Sequence, residues 1–314
     1  MDVVTLGETM VLFVPSTIGP LRYISRFEKT IGGAESNVAI GLARLGHQAG
    51  WISRLGNDEF GLYVLNFIRG EGIDTSRVIL DNDHSTAVFF KERHELNEPK
   101  IYYYRKGSAA SYMGPEDLDE SYIASAKFFH ITGITPALSK SCRETVYAAI
   151  KLARKHQVTV VFDPNIRLKL WSSEEARVTL MDICKLCDIV MPGIDEGKLM
   201  TGESHPEKIA DALLGQGAKV VIIKLGEEGA YFQTHDEKGY IPAIKVSKVV
   251  DAVGAGDAFA AGLLSGLIRG SALPEAVQLG NRVAAFALTV TGDVDGLPSW
   301  EQVNPNRKAQ EVYR

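Results

Sequence analysis

Residues 249–262 read VVDAVGAGDAFAAG, with Asp251 and Asp257 on either side of a run of small residues that enters an apolar, helix-like stretch. Gly254, Ala255 and Gly256 leave backbone N–H groups unobstructed at the start of a helix beginning near Asp257, an arrangement suited to an anion. A carboxylate there repels a bound phosphate, so Asp257 makes chemical sense facing a hydroxyl whose proton it can accept. The same position suits an N-cap aspartate, whose side chain would only satisfy the helix's own amides. Spacing alone leaves both roles open.

Other stretches could join it. In IGGAESNVAIGLARLG (31–46), Gly32 and Gly33 allow close backbone approach, and Asn37 can offer a donor and an acceptor to a hydroxyl. A tight strand-to-helix turn with Asn37 near a cap fits those residues equally. KLGEEGAYF (224–232) carries Gly226 and Gly229 after the apolar run VVIIK, and either a nucleotide contact or a plain hairpin turn accounts for it. DPNIR (163–167) ends an apolar strand, where ligands gather in open α/β sheets, and so places Asn165 and Arg167 at a cleft. IYYYRKGSAAS (101–111) adds Tyr103, Arg105 and Ser108. Two arginines on one cleft suit a carboxylate, which guanidinium groups grip bidentately. The alternatives are a solvated Arg105 and an Arg167 that braces its own loop.

The elements that must position these residues alternate between short apolar strands and amphipathic helices along most of the chain. That pattern predicts an α/β fold with a mostly parallel sheet covered on both faces. Segments 10–29 and 84–106 break the rhythm with β-branched and aromatic residues and turn breakers, and read as an inserted β-sheet lid. Residues 1–9, 30–83 and 107–314 then form the α/β domain.

The 314 residues are 45% apolar and 23% charged, with a net charge of −5, which disfavours a general nucleic-acid binder. No apolar run approaches the roughly 18 residues of a membrane span, and MDVVTLGETM lacks the layout of a secretory signal, so a cytoplasmic protein without a membrane partner is expected. Cys142, Cys184 and Cys187 are an odd count, and CKLC has no second Cys or His pair nearby, so half-buried packing residues are expected there. The GAG run is no dinucleotide fingerprint, because Phe259 stands where that motif needs a small residue. GxxxxGK[ST], HExxH and GxSxG are absent.

Together these stretches resemble the ribokinase-like sugar kinases of the PfkB family. GGAESNVA, followed by Gly46 and Gly56, matches the N-terminal family signature, and DAVGAGDAFAAGLL matches the C-terminal one. The resemblance covers essentially the whole chain and implies a three-layer α/β/α sandwich with a small β lid. It further implies transfer of the γ-phosphoryl group of ATP to a sugar hydroxyl, with Asp257 as base. The amides at Gly254, Ala255 and Gly256 would stabilise charge on the transferring group. Nucleotide contacts are implied for Lys224, Gly226, Gly229 and Asn281, and sugar contacts for Gly32, Gly33 and Asn37.

Two positions depart from the family pattern. In MPGIDEG the Asn of the family's NxxE is Gly193, while Glu196 is kept, and Mg²⁺ is expected at Glu196 through water. Asp251 supports the loop, and some relatives bind a monovalent cation such as K⁺ near it; the next residue, Thr or Ser in the family, is Ala252 here. The YYR and DPNxR elements are similar to those of 2-keto-3-deoxygluconate kinases. That similarity implies a sugar acid held by Tyr103, Arg105, Asn165 and Arg167 and phosphorylated to the 6-phosphate. A fructokinase-like enzyme, a non-catalytic sugar sensor and an NAD-dependent oxidoreductase are the competing readings. Bare lid edges predict a homodimer or an assembly of dimers.

Overall fold

The computed structural model describes residues 1–92 and 100–304. Residues 93–99, part of the expected lid segment, and 305–314, the end of the expected α/β domain, lie outside the described residues.

The strands are Val3–Leu6 (β1), Met10–Pro15 (β2), Phe27–Gly32 (β3), Ala49–Gly56 (β4), Asp74–Asp81 (β5), Val88–Glu92 (β6) and Lys100–Tyr104 (β7) in the first third of the chain. Phe128–Thr132 (β8), Thr159–Asp163 (β9), Ile189–Val190 (β10), Val220–Lys224 (β11), Ala230–Gln233 (β12) and Lys238–Ile241 (β13) follow. Nine form one sheet in the order β13-β12-β11-β10-β9-β8-β1-β4-β5. From β5 to β11 every neighbouring pair is parallel, and the two antiparallel pairs, β11 with β12 and β12 with β13, lie at one edge. The mostly parallel α/β architecture expected from the strand–helix alternation is present.

Both faces of this sheet are covered, which is why its inner strands are apolar at successive positions. On β9, Val160 and Phe162 join the core under the helix Lys140–Lys155, while Val161 points into the core shared with the helix Ala255–Ile268. Fully burying a side chain such as Phe162 contributes roughly 1.5–3 kcal/mol. The helix Ala255–Ile268 is apolar nearly all round, because it lies between the sheet core and the helix Leu273–Ala287. Its position is therefore set by packing.

The other four strands form a second sheet in the order β3-β2-β6-β7. Met10, Leu12, Ala87 and Phe89 make a small core on one face, with Tyr103 packed against it. Phe13, Phe27 and Phe90 alternate to the opposite face, where Phe13 and Phe90 stack at 5.0 Å. Among the described residues no helix is long and apolar enough to cross a membrane.

β1 is flanked by β4 and β8, so chain connections leave it in both directions. In an open α/β sheet that switch point, at the carboxyl ends of the strands, forms a crevice. Glu8, Thr132, Asp163 and Lys224 all lie at or just past such ends.

Candidate active site

The helix Ala255–Ile268 starts two residues before Asp257, earlier than the sequence suggests. Gly254 is its N-cap in the left-handed region, with φ of 79°, a conformation that favours glycine. No side chain caps the helix. Asp257 is therefore not an N-cap. Its carboxylate accepts a hydrogen bond from Asn37 Nδ2 at 2.8 Å, and Asn165 Nδ2 lies 3.5 Å from the other oxygen. The first helical backbone bond runs from Ala258 to Gly254, which leaves the amides of Gly256 and Asp257 ahead of it and open to an anion, whereas the Ala255 amide, expected among them, donates to Ala252 O at 3.4 Å.

Burial raises the pKa of Asp257 to about 7; the Asn37 hydrogen bond and Arg167 pull it down, and Asp163 and Asp293 push it further up. A carboxyl group with that pKa can take and release a proton near neutrality.

Asn165 follows β9 with φ of 36°, a positive value that is uncommon outside glycine and tolerated best by Asn and Asp. Such local strain persists where the surroundings hold it. Here Glu196 does so, accepting from Ile166 N at 2.8 Å and from Gly193 N at 2.7 Å, so one carboxylate joins the DPNIR loop to the turn that begins the helix Ile194–Thr201. Lys224 Nζ meets Asp163 Oδ2 at 2.6 Å, and a Cβ built on Gly256 would lie 3.6 Å from that ammonium. Burial alone would lower the Lys224 pKa, but Asp163 and Glu196 outweigh it and the net shift is upward.

A cleft of about 1010 Å³ lies between residues 101–106 of the small-sheet side and residues 166–170 after β9. Tyr103, Arg105 and Arg167 line it, together with Lys106 and Lys169. Among the described residues no carboxylate lines this wall. Asp257 is not in the wall either; Asn165, two residues before Arg167, links the two.

The two arginines are not equivalent. Arg105 is buried and ion-paired with Glu8, which also accepts from Ser108 Oγ at 2.7 Å, so Arg105 is neither solvated nor free to present its whole guanidinium group. Arg167 is exposed, and among the described residues its side chain makes one hydrogen bond, a long 3.4 Å contact to Ile166 O. The ring of Tyr103 has the Arg105 guanidinium at 5.4 Å and Lys169 Nζ at 5.6 Å.

Glu8, Lys169 and Asp293 are residues that sequence reasoning missed. Glu8 directly follows β1, and an acid just past the carboxyl end of a central strand is a usable signal. Asp293 approaches from the loop TGDVDG. A Cβ on Gly32 would come within 2.7 Å of its carboxylate, which explains the glycine at that place. Gly33 caps the helix Ala34–Arg44 in an extended conformation, and Asn37 lies inside that helix.

Gly226 and Gly229, expected to contact a nucleotide, have φ of 61° and 104° in the tight turn between β11 and β12. Asn281 Nδ2 is spent within the protein, on Ile241 O and Pro242 O at 3.1 Å each. The cysteines are fully buried, not half-buried, and burial raises the thiols of Cys142 and Cys184 to about 11 and about 12.

The chemistry of the donors tests the expected ions. Among the described residues no group of three His, Cys, Asp or Glu could hold a metal. Magnesium fits all the same, since it is commonly carried by substrate phosphates with one or two carboxylates and water. Each oxygen of Glu196 accepts one amide and keeps a lone pair for such a water. Potassium at Asp251 does not fit: the buried Lys91 ammonium is already ion-paired with that carboxylate and would repel a second cation beside it.

Residues 1–300 match the family described as pfkB family carbohydrate kinase. The chain belongs to that family. Among curated pfkB relatives, 2-dehydro-3-deoxygluconokinase of Bacillus subtilis (strain 168) is 44% identical, over 99% of this chain and 97% of that protein. A 2-dehydro-3-deoxygluconokinase of Thermoproteus tenax is 35% identical, over 100% of this chain and 94% of that protein.

Solved pfkB-type structures agree. A PfkB protein from Polaromonas sp. JS666 superposes with a TM-score of 0.90 at 42% identity, covering 97% of this chain and 99% of that one. A putative ribokinase II from E. coli, in complex with ATP and Mg²⁺, gives 0.90 at 27% identity, with 96% and 97% covered. A double-mutant fructokinase from Vibrio cholerae O395, in a form with bound fructose, ADP and potassium ion, gives 0.85 at 28% identity, with 96% and 97% covered. The pfkB fold and carbohydrate-kinase class implied by the two signatures are both present.

Proposed function

We propose that this kinase phosphorylates 2-keto-3-deoxygluconate with ATP, giving the 6-phosphate. The observation that carries the reading is the cleft wall, in which Lys106, Arg167 and Lys169 stand, among the described residues, without a carboxylate, while Arg105 is ion-paired with Glu8. A neutral hexose needs hydroxyl partners, whereas a sugar acid needs cations at its carboxylate. The curated relatives with that activity in their names support the same choice.

In this reading Arg167 grips the carboxylate bidentately, Tyr103 supplies a flat wall, and Asn37 and Asn165 orient the acceptor hydroxyl beside Asp257. The hydroxyl proton passes to a carboxylate oxygen of Asp257 as the sugar oxygen bonds to the γ-phosphorus and the bond to the departing ADP oxygen breaks. The amides of Gly256 and Asp257 at the helix start receive charge that develops on the transferring group. Lys224 and the turn at Gly226 and Gly229 flank the nucleotide phosphates. Glu196 would hold magnesium through water, and the ion would supply charge neutralisation at the nucleotide phosphates.

The edge strands β3 and β7 and the exposed Tyr102 and Tyr104 support pairing of the small sheet with a second copy, which light scattering on the purified protein tests directly. Turnover of a panel of sugars with ATP and Mg²⁺ tests the substrate. The sugar acid is expected to exceed fructose and ribose in kcat/KM by at least about a hundredfold, the value of two strong charge-assisted contacts. Equal turnover of a neutral sugar would overturn the assignment.

A further inference from the structure

The Lys91–Asp251 pair joins two parts of the molecule 160 residues apart in sequence. Lys91 belongs to β6 of the small sheet, and Asp251 stands in the turn that delivers the helix Ala255–Ile268. Both side chains are almost wholly shielded from water, at 4% and 8% exposure. A pair removed from water this far loses much of its Coulombic gain to desolvation, so its best-attested use is to fix one arrangement of the chain.

The surroundings show what it fixes. Lys91 also faces the buried Asp293, and acts to hold that carboxyl down against burial, which raises its pKa to about 6. Val250 N donates to Leu288 O at 2.8 Å, and a Cβ on Gly254 would sit 2.7 Å from Asp293 O, so the 250–254 turn lies directly on the 288–293 segment. Asp251 thus pairs with the buried ammonium where that turn crosses the segment, and Asp293 lies within reach of its charge. Asp251 Oδ1 is occupied by Val253 N, and its other oxygen by Lys91.

An ammonium group and a dissolved monovalent cation carry the same charge and serve the same carboxylate. They cannot both occupy it. We propose that the Lys91 ammonium takes the place of a dissolved monovalent cation at Asp251, so that the small sheet itself orders the phosphoryl-binding turn. Lys91 is a positioning residue: it touches neither substrate nor nucleotide and acts through Asp251 on Gly254 and the amides that follow. This rests on the kinase reading only in assigning those amides to the transferring phosphoryl group. Seating of the small sheet and ordering of the turn become a single event, independent of cellular potassium.

The full chain tests this without any variant, by comparing KCl with choline chloride at equal ionic strength. The wild-type melting temperature and kcat are expected to be the same in both salts, within about twofold for kcat, well under the tenfold that 1.4 kcal/mol represents. Lys91→Met is expected to lower kcat in choline about tenfold or more while leaving KM for the sugar acid within about twofold, the pattern of a lost positioning contact. KCl is expected to restore part of that kcat and to raise the melting temperature of Lys91→Met but not of wild type, while Lys91→Arg keeps most of kcat in choline. Wild type activated about tenfold or stabilised by KCl, or Lys91→Met with wild-type kcat in choline, would overturn the proposal. If Lys91→Met does not fold, the wild-type salt comparison decides alone. If the sugar acid is not turned over at all, the substrate assignment fails, and the wild-type melting comparison still reads the role of Lys91.

Discussion

Asn37 Nδ2 donates to Asp257 Oδ2 at 2.8 Å across 220 residues of sequence, joining the two signature stretches of the chain through one hydrogen bond. The amide holds the carboxylate in one orientation, and burial holds its pKa near neutrality. A side chain so placed is available to a substrate hydroxyl.

Asp257→Asn is expected to lower kcat about a thousandfold, within the range for loss of a positioned general base, with KM changed only a few-fold. Steady-state rates of ADP formation measure it. Unchanged turnover removes Asp257 from the mechanism.

The pKa values of Asp257 and Asp293 are raised from 3.8 to about 7 and about 6. Each therefore binds its proton more tightly in the folded chain than in the unfolded one. The stability they contribute is complete below about pH 4 and is lost as pH rises through about 6 to 7. Over the same interval kcat/KM is expected to rise as Asp257 loses its proton. Thermal melts from acid to mildly alkaline pH should show wild type losing more stability than Asp257→Asn. Equal slopes for the two proteins would contradict the shift.

Arg167 is exposed on the cleft wall, so its loss should be felt by the ligand and not by the fold. Arg167→Ala is expected to raise KM for the sugar acid about ten- to a hundredfold, matching a charge-assisted contact of roughly 1.5–3 kcal/mol. Arg167→Lys keeps the charge without the planar fork and should recover only part. Turnover of fructose, measured beside it, should not fall in parallel.

Arg105 behaves oppositely, because its partner Glu8 is 1% exposed. Arg105→Ala leaves that carboxylate buried and unpaired, at an expected cost of about 3–5 kcal/mol in urea unfolding. Combining Arg105→Met with Glu8→Gln should cost clearly less than Arg105→Ala alone. A loss below about 1 kcal/mol for Arg105→Ala would mean that the pair behaves as an exposed one.

The buried thiols give a simpler check. Cys142, Cys184 and Cys187 are expected to resist a thiol reagent at neutral pH and to react together on unfolding, since the thiolate is disfavoured at all three.

Local pattern in the sequence determined the mostly parallel sheet, the glycine-rich helix entry at residues 254–256 and the family, because strand apolarity, helix periodicity and signature motifs are properties of neighbouring residues. Tertiary structure decided which partner each charged or polar group meets. Spacing left Asp257 balanced between base and N-cap; the left-handed Gly254 took the cap, and Asn37 took the carboxylate. Arg105 and Arg167 looked alike in sequence, yet Glu8 claims one and leaves the other at the cleft. Asp251 looked like a cation ligand until Lys91 arrived from the small sheet. Ion pairs and hydrogen bonds act over a few ångströms, and residues brought that close by folding can be 100 or 200 positions apart, where no local pattern records them.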